Sequence, residues 1–275
     1  MTALPNVRDV EFDLDGVPRH WNGGRKSVTS FFDALSVFFP VGERFFITSV
    51  RAHDRYVTDD SLREAVRAFC NQEGIHGREH TRYNEMLEAQ GYPAEALERD
   101  VTKLLQRVKK RSPKRVQLAI TCALEHYTAI MAHLLLENPE ALGHAHPKMA
   151  ELWRWHAVEE SEHKSVPYDV YIAAGAPYYE RVSTMVIASL VFWGKVLQHQ
   201  VKMMRTDGTL FSLREWGQLL RFWFIEPGLF PRMAPLWVKY FRPGFHPNDI
   251  DSSHLLQAWL RTQRITDERA AHAPA

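Results

Sequence analysis

The stretch 155-WHAVEESEHKSVPYDVY-171 places His156, Glu160 and His163 at i, i+4 and i+7, the spacing of one helical face. Upstream, 73-EGIHGREHTRYNE-85 holds the same Glu-x-x-His unit, here Glu73 and His76. Residues three apart lie one above the other on a helix, so each unit can present a carboxylate and an imidazole to one ion or bridge to a second. A lone glutamate precedes each unit: Glu43 by 30 residues and Glu125 by 35. The order Glu, Glu-x-x-His, Glu, Glu-x-x-His is a weak internal repeat of a helix pair. Two such pairs give a four-helix bundle that holds two metal ions in its core.

The surroundings of the lone glutamates favour this reading. Glu43 lies in 36-SVFFPVGERFFITSV-50 and Glu125 in 118-LAITCALEHYTAIMAHLLL-136, both otherwise apolar. A carboxylate there is costly unless exposed, paired or metal-bound. Four glutamates carry −4 and two divalent ions +4, which balances a buried cluster. His156 adds a third imidazole. Glu159, which is i+3 from His156 and i−4 from His163, stands as the alternative to Glu160, chosen because it reproduces the i, i+3 spacing. His80 shares the face of Glu73 and His76 and reads as a second-layer donor or pocket wall rather than a ligand. His126 points about a quarter turn from Glu125 and reads as structural. Cys70 and Cys122 sit one turn before Glu73 and Glu125 and read as buried packing. Tyr83 reads equally as packing or as the lining of an access channel. The carboxylate-rich set suits two iron ions, with manganese or a mixed Mn/Fe pair as alternatives, and suits zinc less well.

The rest of the chain gives an all-α protein read as one domain over 1–275, with the metal-binding bundle in 26–175 and accessory aromatic-rich helices in 176–275. Residues 1–25 read as irregular, with a short extended piece near 10–14. Helices are expected over 27–51 with a kink at Pro40 and Gly42, over about 60–90 capped by Asp60 or Ser61, and over 94–111, 114–137 and 146–174. A further helix follows Pro177 to about Met204, and one or two short ones lie in the proline-broken tail. A net charge of +1 over 275 residues gives no electrostatic case for nucleic acid. Two cysteines outside any C-x-x-C unit, and an N-terminus without a signal-peptide pattern, suggest a cytoplasmic protein. The apolar stretch 185–193 is far shorter than a membrane span.

The ligand order resembles the ferritin-like diiron carboxylate superfamily, including bacterial multicomponent monooxygenases and ribonucleotide reductase small subunits. The added His156 is most similar to the p-aminobenzoate N-oxygenase group, whose ligand set is three histidines and four carboxylates. That resemblance places Glu43, Glu73, His76, Glu125, His156, Glu160 and His163 as the ligands. Over 38–248 the chain also resembles a bacterial family labelled predicted metal-dependent hydrolase, through FPVGERFF, EGIHGREHTRYNE, ALEHYTA, WHAVEESEHKSVPYDVY and FRPGFHPND. His246 in the last of these reads as a loop residue.

The expected function is a non-haem diiron oxidase or oxygenase acting on a hydrophobic small molecule with O₂, with an external electron donor. The alternatives are a dinuclear metal-dependent hydrolase and a ferroxidase or iron-binding protein. Trp193, Trp216, Trp223, Trp237 and Trp259, five of the eight tryptophans, fall in the last third. That segment reads mainly as core or homodimer packing, with pocket lining or peripheral membrane contact as the other uses.

Overall fold

A computed structural model describes the backbone of residues 4–271 and the side chains through 262. The chain is all-α. Helices run over Lys26–Ser36 (α1), Phe39–Arg51 (α2), Asp60–Ala89 (α3), Ala94–Arg111 (α4), Lys114–Glu137 (α5), Pro147–His163 (α6), Val166–Ala173 (α7), Tyr178–Thr206 (α8), Leu213–Phe224 (α9), Leu229–Lys239 (α10) and Ser253–Ala271 (α11). No strand occurs among the described residues; the extended piece expected near 10–14 is irregular, and the backbone N–H of Phe12 donates to the Glu79 carboxylate at 2.9 Å.

Two expected helices are each divided in two. The first breaks between Ser36 and Phe39 because Pro40 has no N–H to give the Ser36 carbonyl. The Asn84 side chain takes that carbonyl instead, at 3.4 Å. The fifth breaks after His163, where Pro167 enters the first turn of α7 and its missing N–H leaves the ladder open. The cap of α3 is Asp59, one residue before the expected pair: its extended backbone aims the carboxylate at the Leu62 N–H, 2.8 Å away. The tail holds three helices rather than one or two.

Helix α2 packs on α3 and α5 on α6, with α2 also against α5 and α3 against α6. These four form a helical bundle, and α8, α9 and α10 lie against α1 and α5. Helix α5 is long and apolar enough to cross a membrane by length and composition, but 72% of its most apolar window is buried against its neighbours. The tail tryptophans Trp193, Trp216, Trp223 and Trp237 pack against the core. The irregular N-terminal segment straps across α6, α3 and α1, with Arg8 donating to Glu159, Arg19 to the Gln90 carbonyl and Trp21 to Asp33.

Candidate metal centre

Helix α2 contributes Glu43, α3 contributes Glu73 and His76, α5 contributes Glu125, and α6 contributes His156, Glu160 and His163, all buried. The donor atoms gather into three overlapping groups, each with its atoms within 4.8 Å of one another: Glu43–His76–His156, Glu73–Glu125–His163 and Glu73–His76–Glu160. The structure thus brings together all seven residues singled out by spacing. The repeat is not symmetric in chemistry. One group has two imidazoles and one carboxylate; its counterpart has two carboxylates and one imidazole.

The atoms that converge have no hydrogen-bond partners. Both oxygens of Glu43, Glu73 and Glu125, Oε2 of Glu160, Nδ1 of His76, and Nε2 of His156 and His163 are buried and unpaired. Glu160 Oε1 lies 3.0 Å from His156 Nε2, and Glu73 Oε1 lies 3.2 Å from His163 Nε2. Buried polar atoms are normally satisfied, so this concentration of bare lone pairs fits a site built for cations. Burial and the neighbouring Glu73 push the carboxyls of Glu43 and Glu125 well above the usual range. Burial and the adjacent His156 push His76 down to about 3, keeping its imidazole neutral as a ligand requires.

Each imidazole is held from behind by its other nitrogen. His76 Nε2 lies 3.1 Å from Glu159 Oε2, His163 Nδ1 lies 2.9 Å from Gln72 Oε1, and His156 Nδ1 lies 2.8 Å from His80 Nε2. The bonding pattern puts a proton on the outer nitrogen in all three. At His163, although burial opposes it, Glu160 and Glu73 raise the pKa well above the usual imidazole value, so a cation there must displace the inner proton. Behind His80, its Nδ1 meets Ser36 Oγ at 2.9 Å, and that hydroxyl donates to Asn84 Oδ1 at 2.9 Å. Burial and His156 hold the His80 pKa well below the usual imidazole value. Glu159 therefore sits behind His76, outside all three groups, while Glu160 sits inside one.

Several residues of this outer layer carry no local pattern. Arg8 reaches Glu159 Oε1 at 3.2 Å and Glu162 Oε1 at 2.7 Å from the irregular N-terminus. Gln72 donates to Glu162 Oε2 at 3.1 Å. Gly77 makes room for Glu43: a Cβ there falls 3.0 Å from Glu43 Oε2 and 3.9 Å from Pro40 Cα, so the carboxylate would have to shift by a few tenths of an ångström. The remaining candidates lie away from the cluster. Cys70 and Cys122 are buried free thiols outside the three groups, their pKa values raised by burial. Tyr83 packs in the core and donates to Asp33 Oδ1 at 2.6 Å. His126 bonds the Leu236 carbonyl at 3.2 Å, and His246 bonds Asp169 at 2.8 Å.

A family described as predicted metal-dependent hydrolase matches residues 6–251. The chain belongs to this family. Comparison with curated proteins and with solved structures gives no match. The family description and the buried donor set agree on a metal-binding function. The matched span contains the strap with Arg8 as well as all seven clustered residues.

Proposed function

We propose that the seven clustered residues hold two divalent iron or manganese ions in a ferritin-like centre that activates O₂ to oxidise an apolar small molecule. The observation that carries this reading is a cavity of about 70 Å³ that reaches His156 and Glu160 and is walled by Phe31, Phe32, Leu35, Phe39 and Met131, among others. Such a wall accepts O₂ and hydrocarbon, and offers almost nothing to hold the polar oxygens of an ester or phosphate. Beyond His156 and Glu160 its polar lining is sparse: the Thr128 hydroxyl donates to the Glu125 carbonyl at 3.0 Å, Arg232 donates to Asn138 Oδ1 at 2.6 Å within the lining, and the Trp153 indole N–H has no partner.

Held by Glu43, Glu73, His76, Glu125, His156, Glu160 and His163, such ions would supply the electrons for O₂ reduction. The chain's own residues do the rest. Four carboxylates neutralise the charge of two divalent cations in a medium that would otherwise penalise it. Glu159, Gln72 and His80 hold the outer N–H of each imidazole and so fix its orientation. The aromatic wall keeps bulk water from the face made by His156 and Glu160.

The family description favours a second reading, a dinuclear hydrolase in which two metals activate water. Anaerobic loading with Fe(II) followed by O₂ separates the two. Oxygen uptake with a change in visible absorption supports oxidation. An iron-loaded protein that shows neither refutes it, and ester or phosphate hydrolysis by a zinc-loaded form under strict anaerobiosis establishes the second reading.

A further inference from the structure

A second, larger cavity of about 330 Å³ lies between α2, α4, α5 and α8. Along α5 it is lined by Val116, Ile120, Leu124 and Thr128, spaced four apart on one face. Leu35, Phe39, Thr128 and Met131 line both this cavity and the small one that reaches His156 and Glu160. The two spaces are therefore neighbours across a wall of four side chains. Ile187 and Val191 line the cavity and are also exposed, so it opens to the surface beside α8, level with Thr128 because Tyr127 donates to Ser189 Oγ at 2.7 Å; the half-buried Ser112 and Val116 mark its other end. The only charged lining residue, Lys195, is paired with Asp100 at 2.7 Å.

We propose that this cavity binds an unbranched aliphatic chain, with the inner end passing Phe39 and Thr128 toward the metal centre. The inference rests on the oxidation reading for the fate of that end, but not for the binding itself. The shape argues for a chain rather than a compact ring system. Val116 to Thr128 spans twelve residues of helix, roughly 18 Å at 1.5 Å per residue. An extended alkyl chain advances roughly 1.25 Å per carbon, from a C–C bond of about 1.5 Å and an angle near 111°, so the lined face matches roughly fourteen carbons. The lining is mostly carbon along this length, with Ser112, Thr128 and Thr184 its hydroxyl residues, and the missing side chain of Gly42 and the methyl of Ala188 keep it wide enough for methylenes. A polar head group stays at the Ser112–Val116 end, beside the exposed turn at residues 113–115, where it remains hydrated.

Calorimetric titration of the zinc-loaded protein with 1-alkanols of eight to eighteen carbons tests this without requiring turnover. Each added methylene should raise affinity about fourfold, and the gain should level off near fourteen carbons. Ala188→Trp on α8 and Ile120→Trp on α5, each retaining the parent's metal content, should shorten the length at which it levels off and lower dodecan-1-ol affinity at least tenfold. Two substitutions on different helices guard against one variant failing to fold. Absent binding, affinity independent of chain length, or a profile unmoved in the folded variants overturns the proposal. Chain-length dependence in a protein whose iron form ignores O₂ leaves this site standing and removes the oxidation reading. Oxygen uptake without chain-length dependence does the reverse.

Discussion

Glu159 and Glu160 are adjacent in sequence and are assigned different tasks, which makes the pair a sharp test. Glu160 Oε1 lies 3.0 Å from the inner nitrogen of His156 and 3.7 Å from that of His76. Glu159 Oε2 meets the outer nitrogen of His76, and its Oε1 accepts from both the backbone and side chain of Arg8 at 3.2 Å. Glu159→Gln keeps an amide oxygen for the His76 N–H but loses the charge that makes the imidazole a stronger donor to metal. Changes to such outer partners cost roughly 10- to 100-fold in metal affinity, or about 1.4–2.7 kcal/mol. Glu160→Gln removes a charged oxygen from the cluster itself and should lower stoichiometry. Equilibrium dialysis against a series of buffered Fe(II) or Mn(II) concentrations, followed by elemental analysis, reads both quantities. Glu159→Gln should still reach two ions per chain at higher free metal; Glu160→Gln should fall short of two. The reverse result, with Glu159→Gln losing an ion and Glu160→Gln retaining both, refutes the assignment.

Other outcomes follow from the same geometry. Gly77→Ala should push the Glu43 carboxylate aside, given the 3.0 Å approach of its Cβ to Oε2, and lower metal affinity on the order of tenfold; unchanged binding by chelator competition would show that Glu43 is not needed. Because burial and Glu73 raise the carboxyl pKa values of Glu43 and Glu125 in the metal-free protein, metal binding should release protons and strengthen as pH rises, measurable by calorimetry in buffers of different ionisation enthalpy. Burial pushes His199 down from 6.5 to about 4 and His126 to about 3. Their contribution to stability is complete above about pH 6.5 and is lost as pH falls through those values, and the His199 drop corresponds to roughly 3 kcal/mol. Urea midpoints between pH 7.5 and 4 should therefore decline, and His199→Phe, which keeps the stack on Phe38, should flatten the curve; an equally steep decline in that variant counts against the His199 contribution.

The grouping of the seven residues was legible because it obeys a local rule. Glu73 with His76, and His156 with Glu160 and His163, share a face by helix geometry alone, and an isolated glutamate in an apolar run marks a buried charge that needs a partner. The bounds of α4 and α5 were legible for similar reasons, since Pro93, Pro113 and Pro139 punctuate them. The double breaks at Ser36–Phe39 and after His163 were not, because proline within a periodic pattern either kinks a helix or ends it, and tertiary contacts decide which. Arg8 was invisible for a different reason. It lies in a segment with no periodicity, and its partners Glu159 and Glu162 lie more than 150 residues away. Gln72 and Ser36 are ordinary helix residues until the facing helix shows which imidazole each one reaches.

The outer layer shows how the strap and the proline break serve the same end. Arg8 fixes Glu159, which holds His76, and fixes Glu162, which holds Gln72 and through it His163. Two of the three imidazoles thus depend on one guanidinium from outside the bundle. The third is backed from beside the Pro40 break. By ending the hydrogen-bond ladder at Ser36, that proline releases a carbonyl to Asn84, and the Ser36 hydroxyl joins the same side chain to His80 and so to His156. A continuous helix through residue 40 would pair the Ser36 carbonyl within its own ladder and remove one of the two contacts that hold Asn84 there. Pro40 lies only three residues from Glu43, so one local disruption both sets the start of the helix that bears a clustered carboxylate and supports His156, an imidazole of the same donor group. Arg8 and the Ser36–Asn84 pair beside the Pro40 break therefore back all three imidazoles while contributing no atom to the cluster, and positions of this kind are where substitutions should alter metal affinity without altering the donor set.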